Sequence, residues 1–423
     1  MRYLQIENAR LIDPANNLDA VTEIFVADGR IQTIGRRPIA GEIEESIDAQ
    51  GQWLIPGLID LGGHLPEPGY SQKGSIASET RAACAGGFTH ICSLPDTKPV
   101  ADTAAVIQLV LEKAAKAGYA RVLPLGALTQ GLAGEQIANM VTLQEAGAVA
   151  LSNARRPIKD NYVLRRLMEY AATYDIPLFL TANDEALSAG GCMHEGPTAT
   201  RMGLSGIPET AETIAIAHIL LLIEQTGVRA HISQISCARS VAMLTEAHQR
   251  GLPVTADTTL ANLLYTDEAV EGYNSLFNVQ PPLRSERDRL ALLQAVEQGH
   301  LAISSNHHPH EIAAKKAPFA DAEAGMSQYD HFLPQALGLV HRGELSIDAL
   351  IRATSTTPAN LLGLRQQLTE GAAFNACLVD PNAENVVTAQ SLQSRGRNHP
   401  ALGRTLKGQV KRVFVDGQLV FAS

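Results

Sequence analysis

Histidines occur at two places where an apolar run, predicted as a strand, passes into a loop, and histidine is a common metal ligand. His64 follows the apolar run at residues 54–60, but Gly62 stands where the first histidine of a His-x-His pair would lie. Three histidines crowded into four residues and interrupted by proline seldom reach one ion without a ligand from another strand. Together with His64, this second group is kept as a hypothesis of a rebuilt metal site; its members are His307, His308 and His310.

Other polar residues near predicted strand ends have structural explanations. His231 lies on a predicted strand, where we expect a hydrogen-bonded core histidine. Asp184 precedes a predicted helix, and a carboxylate there stabilises the positive end of the helix dipole. Arg155 and Arg156 form a basic pair that we expect on the solvated surface or against an acidic partner.

The composition limits the classes of function. The 423 residues are 45% hydrophobic but only 4% aromatic, which favours an α/β protein. A formal net charge of −10 argues against nucleic acid or an anionic membrane as the main partner, because both attract basic patches. Five scattered cysteines without a C-x-x-C pair indicate neither a disulfide framework nor a thiolate zinc site. The N-terminus has no apolar signal core, so a cytoplasmic protein is predicted.

Both ends of the chain carry the same turn signal. Asp28-Gly29 and Asp416-Gly417 each lie between short apolar runs, a pattern typical of a β-hairpin. We therefore predict one small, discontinuous β-sandwich built from residues 1–53 and 366–423. The intervening residues 54–365 form the second predicted domain.

Within residues 54–365, apolar runs alternate with helical patterns that stop at glycine. Eight runs each followed by a helix favour a (β/α)8 TIM barrel over an open sheet, and no G-x-G-x-x-G or Walker sequence is present. In such a barrel the chemistry lies at the carboxyl ends of the strands. The predicted strands are residues 54–60, 88–93, 121–126, 148–152, 177–180, 230–233, 253–257 and 301–305.

Several short motifs lie along the predicted barrel. They are Pro56-Gly57-Leu58-Ile59-Asp60, Ala85-Gly86-Gly87-Phe88-Thr89, Leu94-Pro95-Asp96-Thr97, Glu145-Ala146-Gly147-Ala148-Val149, His194-Glu195-Gly196-Pro197, Gly206-Ile207-Pro208 and Pro281-Pro282-Leu283-Arg284. These motifs resemble landmarks of the longer, bacterial-type dihydroorotases, which belong to the amidohydrolase superfamily of metal-dependent barrels. With residues 354–364 and the C-terminal hairpin, the resemblance covers nearly the whole chain in order.

The resemblance implies a binuclear zinc site with two histidines after strand 1, a bridging acid after strand 4, one histidine each after strands 5 and 6, and an aspartate after strand 8 that is also the general base. Zinc binds imidazole, thiolate or carboxylate, so only one position keeps a strong ligand. An amide has no proton acceptor that titrates near neutral pH, so the strand-8 residue cannot be the base. In order, the six positions hold Gly62, His64, Asn153, Thr181, Gln234 and Asn306.

The substrate contacts implied by the resemblance are also replaced. An arginine two residues past the second histidine and an asparagine in a Pro-Asn-Thr turn hold the substrate carboxylate in dihydroorotases. Pro66 and Asp96 stand at these places, so the arginine is missing and a negative charge faces the expected anion. We therefore predict no catalytic, cofactor-binding or metal-binding residues.

These replacements predict a catalytically inactive protein, similar to the non-catalytic dihydroorotase-like chains that assemble with aspartate carbamoyltransferase in pyrimidine biosynthesis. This partner follows from the resemblance alone, and self-association of the chain is also expected. The second hypothesis is an active amidohydrolase that opens another cyclic amide through a rebuilt or mononuclear metal site. A third is a sensor that binds a pyrimidine-related metabolite without turning it over.

Overall fold

The computed structural model describes residues 2–423 and alternates strands with helices through most of the chain. Numbered along the chain, its strands are β1 (Arg2–Asp13), β2 (Leu18–Ala27), β3 (Arg30–Ile34), β4 (Glu42–Asp48), β5 (Trp53–Pro56), β6 (Leu58–Gly63), β7 (Phe88–Ser93), β8 (Arg121–Ala127), β9 (Ala150–Ser152), β10 (Leu178–Thr181), β11 (Met193–His194), β12 (Gly206–Ile207), β13 (Ala230–Ser233), β14 (Val254–Thr259), β15 (Ala302–Ser304), β16 (Ala376–Val386), β17 (Thr405–Val415) and β18 (Gln418–Ala422).

The helices lie mainly between successive barrel strands. A π-helical turn, Arg352–Thr356, joins the last two. The α-helices are α1 (Ile76–Ala85), α2 (Ala104–Ala117), α3 (Met140–Glu145), α4 (Asn161–Thr173), α5 (Glu185–Ser188), α6 (Pro197–Met202), α7 (Glu209–Thr226), α8 (Ala238–Gln249), α9 (Leu260–Leu264), α10 (Glu286–Glu297), α11 (Phe332–His341), α12 (Ile347–Ile351) and α13 (Thr357–Leu362).

Eight parallel strands form the barrel, in the order β6-β7-β8-β9-β10-β13-β14-β15. Hydrogen bonds join the two ends of this series, because the Asp60 carboxylate on β6 accepts from the backbone N–H of Ser305 at 2.8 Å and from its hydroxyl at 2.7 Å, just after β15. A core of aliphatic side chains packs between these strands and the surrounding helices. The predicted (β/α)8 barrel is confirmed.

The first predicted barrel strand differs from the structure. Residues 54–60 divide at Gly57: β5 pairs with β1 and β16 in the terminal sheet, and only β6 belongs to the barrel. A Cβ on Gly57 would lie 2.2 Å from Thr89 Cγ2, so the chain passes from one sheet to the other where only glycine fits. The continuous apolar run hides this division because both halves are buried.

Both termini contribute to one eight-stranded, mostly antiparallel sheet, in the order β18-β17-β16-β5-β1-β2-β3, with β4 paired to β1. The two predicted hairpins are present, and Asp28 and Asp416 have the left-handed backbone that such turns need, with φ of 51° and 48°. The turns touch: a Cβ on Gly29 would lie 2.6 Å from the backbone oxygen of Asp416. The predicted meeting of the termini is confirmed.

One connection returns from the terminal sheet to the barrel. Residues 387–404, here called the strap, join β16 to β17 and pack against α1 and the loop that follows β15. The backbone N–H of Arg397 donates to His310 O at 2.8 Å, and Asn398 Nδ2 donates to His308 O at 2.9 Å. The strap therefore holds the loop that follows β15.

Every helix in residues 2–423 is too short or too polar to span a membrane.

Candidate functional site

The six positions implied by the resemblance lie together at the mouth of the barrel. Each is at or just beyond the carboxyl end of a strand, which is where parallel strands of a barrel bring their side chains together. Two of them are neighbours across the ring, because a Cβ on Gly62 would lie 3.1 Å from Gln234 Nε2. The positions are Gly62, His64, Asn153, Thr181, Gln234 and Asn306.

Two of the replacing side chains are hydrogen-bonded to nearby loops of the protein. Asn153 Oδ1 accepts from the Thr129 hydroxyl at 2.8 Å, and its Nδ2 donates to Arg156 O at 3.0 Å. The Thr181 hydroxyl donates to Ala154 O at 2.6 Å. These polar atoms support the loops of the mouth instead of facing a ligand.

Arg155 does not lie on the solvated surface, so its predicted position is wrong. Its side chain enters the mouth, where Nη2 donates to Asn306 Oδ1 at 2.6 Å and Nη1 contacts His308 Nδ1. Its neighbour Arg156 is exposed, as expected. Ala154, between the strand end and Arg155, has φ of 52°, and this left-handed turn separates the directions of the two arginines. The sequence alone could not show that one of these two adjacent arginines points inward and the other outward.

Asp96 and His64 form a pair beside this arginine. His64 Nδ1 and Asp96 Oδ1 are 3.1 Å apart, and the Asp96 side chain is 26% exposed. Burial opposes ionisation of Asp96, but the charge and hydrogen bond of His64 and the charge of Arg155 outweigh it and lower its pKa to about 2. The negative charge predicted to face a substrate anion is thus already paired with His64 and lies within the field of the Arg155 charge. Pro66 lies buried in the same loop.

The histidines of the second hypothesis are not gathered as one ligand set. His307 is fully buried with its Nε2 2.9 Å from Glu79 Oε2, and its ring stacks on Tyr329 with centroids 3.9 Å apart. The His308 ring lies 4.6 Å from that of His64 and 4.5 Å from that of His310, measured between centroids. Across residues 2–423, no three or more His, Cys, Asp or Glu side chains are arranged to hold a metal ion.

Burial and nearby charge affect the remaining imidazoles. Burial, and then the charge of Arg155, keep the pKa of His308 well below its usual value. Burial and the charge of Lys73, whose Nζ lies 3.1 Å from His310 Nδ1, lower the pKa of His310 to about 4. His231, the predicted core histidine, is held by Asp257 at 2.9 Å and by the Thr255 hydroxyl at 2.9 Å, as expected.

The donor set of the mouth does not fit the zinc pair that the fold family implies. Neutral amides and a hydroxyl replace the histidine and carboxylate ligands, and a guanidinium, which is always charged and has no acceptor, stands among them. A cavity of about 60 Å³ is left beside Arg155, Thr181 and Gln234. No metal-dependent step can be derived from these residues.

The chain combines a (β/α)8 barrel, a sheet built from both termini and a polar site at the barrel mouth. This combination is typical of amidohydrolase-type proteins. The chain has a TM-score of 0.89 with L-hydantoinase (dihydropyrimidinase) from Arthrobacter aurescens, at 22% identity over 100% of this chain and 96% of that one. The D-hydantoinase (dihydropyrimidinase) from a Thermus species gives 0.83 at 21% identity over 98% and 94%. At this identity the likeness concerns the fold.

Sequence comparison narrows the class to a family. Residues 51–240 match the Dihydro-orotase-like family. The chain is 47% identical to a dihydroorotase-like protein of Pseudomonas aeruginosa, over 98% of this chain and 99% of that one. It is also 41% identical to a protein named dihydroorotase from Anaeromyxobacter dehalogenans, over 99% and 97%. The chain belongs to the dihydroorotase-like amidohydrolase family.

Proposed function

We propose that this chain is a catalytically inactive member of the family. The observation that carries the proposal is the bond between Arg155 Nη2 and Asn306 Oδ1, 2.6 Å long, at the position where the resemblance puts the general base. An amide cannot accept a proton from water near neutral pH, and here its oxygen is already occupied. General-base catalysis at this strand end therefore has no group to perform it.

The substrate side of the mouth supports the same proposal. Asp96 replaces a neutral residue that the resemblance assigns to substrate binding, and its low pKa keeps it ionised at neutral pH. Pro66 replaces the arginine that would bind a carboxylate in two parallel hydrogen bonds. At these two positions a dianionic substrate such as carbamoyl aspartate would find a carboxylate in place of an amide, and it would lack the arginine that binds its own carboxylate.

The competing proposal is an amidohydrolase that opens another cyclic amide through a mononuclear site. The close rings of His64, His308 and His310 are the observation in its favour, and some relatives are named dihydroorotase. Elemental analysis of protein purified without chelators separates the proposals. We expect zinc at background level, whereas about one zinc per chain that is lost on chelation together with an amidohydrolase activity would support the competitor.

For its role, we propose a structural subunit of an aspartate carbamoyltransferase complex in pyrimidine biosynthesis. The support is the resemblance to non-catalytic dihydroorotase-like chains and the retention of a complete barrel core around a mouth without the family's chemistry. Self-association of this chain within such a complex is part of the proposal.

Co-expression with the aspartate carbamoyltransferase of the same organism tests this role. We expect one mixed assembly in size-exclusion chromatography with multi-angle light scattering at micromolar concentration, and higher transferase activity than for the transferase alone. A heterologous transferase mixed with this chain serves as the control for non-specific association. Two separate species in the matched pair would contradict the proposal.

A further inference from the structure

We infer that the guanidinium of Arg155 takes the place of the metal ions in this barrel and prevents metal from binding even where ligands are supplied. This inference rests on the proposed function, because it explains how a barrel mouth that lacks catalysis is kept in order. None of the dihydroorotase motifs quoted above includes Arg155, so the resemblance itself assigns this residue no role.

The position of Arg155 across the mouth carries the inference. In the order of the ring, β9 is the fourth strand and β15 the eighth, so the loops after them face each other across the barrel. Arg155 follows β9, and both its terminal nitrogens reach residues that follow β15, Asn306 and His308. A side chain that joins opposite strands must pass over the centre of the mouth. That centre is the space that a bridging acid after strand 4 and an aspartate after strand 8 would share with metal.

The positive charge of Arg155 stabilises the ionised carboxylate of Asp96, as a bound metal ion would. The Asp96 carboxylate is paired with His64, and the charge of Arg155 helps to lower its pKa, so the anion of the mouth has a counter-charge within the chain. A divalent ion placed beside the guanidinium would meet a like charge in a mostly buried space, where such repulsion is strong. A carboxylate introduced at position 306 would pair with Arg155 in the same geometry in which the amide now bonds to it.

The backbone leaves room for a side chain at position 62. A Cβ on Gly62 would meet only the end of the Gln234 side chain, at 3.1 Å, and Gln234 is itself one of the replaced positions. A residue with a Cβ at position 62 therefore meets no backbone atom there. Ligand loss and the entry of Arg155 are separable, and each can be tested with the other held fixed.

The experiment compares metal binding by two restored proteins. The fivefold variant carries Gly62→His, Asn153→Asp, Thr181→His, Gln234→His and Asn306→Asp. The sixfold variant adds Arg155→Ala, and a second sixfold variant adds Arg155→Met, which keeps much of the side-chain volume without its charge. The matched control adds Arg156→Ala to the fivefold variant, because Arg156 is adjacent but exposed. Circular dichroism establishes that each is folded.

Cobalt(II) titration followed by visible absorption, and zinc content after gel filtration, give readouts independent of activity. We expect the sixfold variants to bind at least about 100-fold more tightly than the fivefold variant and its Arg156 control, as removal of a close like charge predicts. Equal binding by fivefold and sixfold variants would overturn the inference. So would a failure of both folded sixfold variants to bind metal, since removing Arg155 would not have opened the site.

These results are separate from the test of inactivity. If the fivefold variant bound metal as well as the sixfold variants, Arg155 would be no barrier, yet the wild-type protein could still lack metal and catalysis. If the wild-type protein held zinc and turned over substrate, the proposed function would fail whatever the variants did.

Discussion

Single residues at the mouth explain why a folded barrel tolerates the loss of the family's ligands. Carboxylates left without cations would repel one another and lose hydration, whereas amides of similar shape do not. Asn153 and Asn306 both satisfy their polar atoms with protein partners. Arg155 then supplies one positive charge opposite Asp96. The result is a mouth whose charges are balanced by the chain itself.

Two adjacent glycines at the end of β6 should respond differently to alanine. A Cβ on Gly63 would lie 1.8 Å from the Tyr329 hydroxyl, in a fully buried site, while one on Gly62 meets only the flexible end of Gln234. We expect Gly63→Ala to lower the free energy of unfolding by about 2–4 kcal/mol. Gly62→Ala, the matched control, should change it by less than about 1 kcal/mol.

Urea unfolding followed by circular dichroism measures both variants. Similar losses for the two glycines would contradict the space found at Gly62, and with it the argument that ligands could be restored there. In the sequence, Gly62 is recognisable only as a missing histidine. Nothing there distinguishes it from Gly63, which must be small because Tyr329, far away in the chain, packs against it.

At the scale of elements, α1, the loop after β15 and the strap meet at one buried carboxylate. Glu79 on α1 accepts from His307 Nε2 at 2.9 Å, from the Ser394 hydroxyl at 2.6 Å and from the backbone N–H of Arg395 at 3.2 Å. Burial opposes its ionisation, but the hydrogen bond and charge of His307 outweigh this and lower the pKa of Glu79. This network fixes the strap to α1 and to the loop after β15.

Replacing this carboxylate should loosen the strap. Glu79→Gln removes the charge that faces His307 and turns one acceptor into a donor, so we expect a loss of about 2–4 kcal/mol in the free energy of unfolding. Hydrogen exchange should rise in residues 387–404 before it rises in the barrel strands. Glu112→Gln on the exposed face of α2 is the control and should leave both measurements unchanged. Exchange that rises equally everywhere would contradict a local anchoring role.

The elements themselves were largely predictable, because alternating apolar runs and terminal glycines reflect local physics. Helix α2, for example, ends at Gly118 in a left-handed conformation, as its sequence indicates. Two features were not predictable from such patterns. The division of residues 54–60 depends on Thr89 from another strand, and the inward direction of Arg155 depends on a loop conformation and on partners about 150 residues away.

For the whole molecule, buried histidines make stability depend on pH. Burial, reinforced by nearby positive charges for His90, His310 and His399, lowers the pKa of His90, His310 and His331 to about 4 and that of His399 to about 3. Below pH 6.5 the unfolded chain therefore binds protons that the folded chain does not. Each such histidine costs up to about 1.4 kcal/mol of stability per pH unit as the pH falls from 6.5 to about 4.

Two buried acids act in the opposite direction. Burial raises the pKa of Asp330 to about 7, so the folded state keeps a proton that the unfolded state loses above pH 4, and stability from this group falls as pH rises. Burial also raises the pKa of Asp60. Four histidines outweigh two carboxyls, and we expect the urea midpoint to fall from pH 6.5 to pH 5. Asp330→Asn should steepen that fall. A midpoint that is constant or rises toward pH 5 would contradict the buried, neutral state of these imidazoles.

The fold and the positions of the mouth residues could be predicted from the sequence, since strand ends of a barrel converge whatever their side chains are. What fills the mouth could not, because Arg155, His64 and Asp96 come together only through loops after three different strands. Because the Arg155 guanidinium lies at the centre of the mouth, the family's ligands are lost and a cation of the chain itself also takes the place of the metal.

The most direct test of the central claim, that this barrel has no dihydroorotase chemistry, is turnover by the wild-type protein. Ring opening of dihydroorotate and ring closure of carbamoyl aspartate are measured with protein purified without chelators and then supplied with excess zinc, beside the relative named dihydroorotase from Anaeromyxobacter dehalogenans as positive control. Because the mouth offers neither a general base nor a set of zinc ligands, we expect rates equal to those of the buffer in both directions. A zinc-dependent rate comparable to that of the control would contradict it.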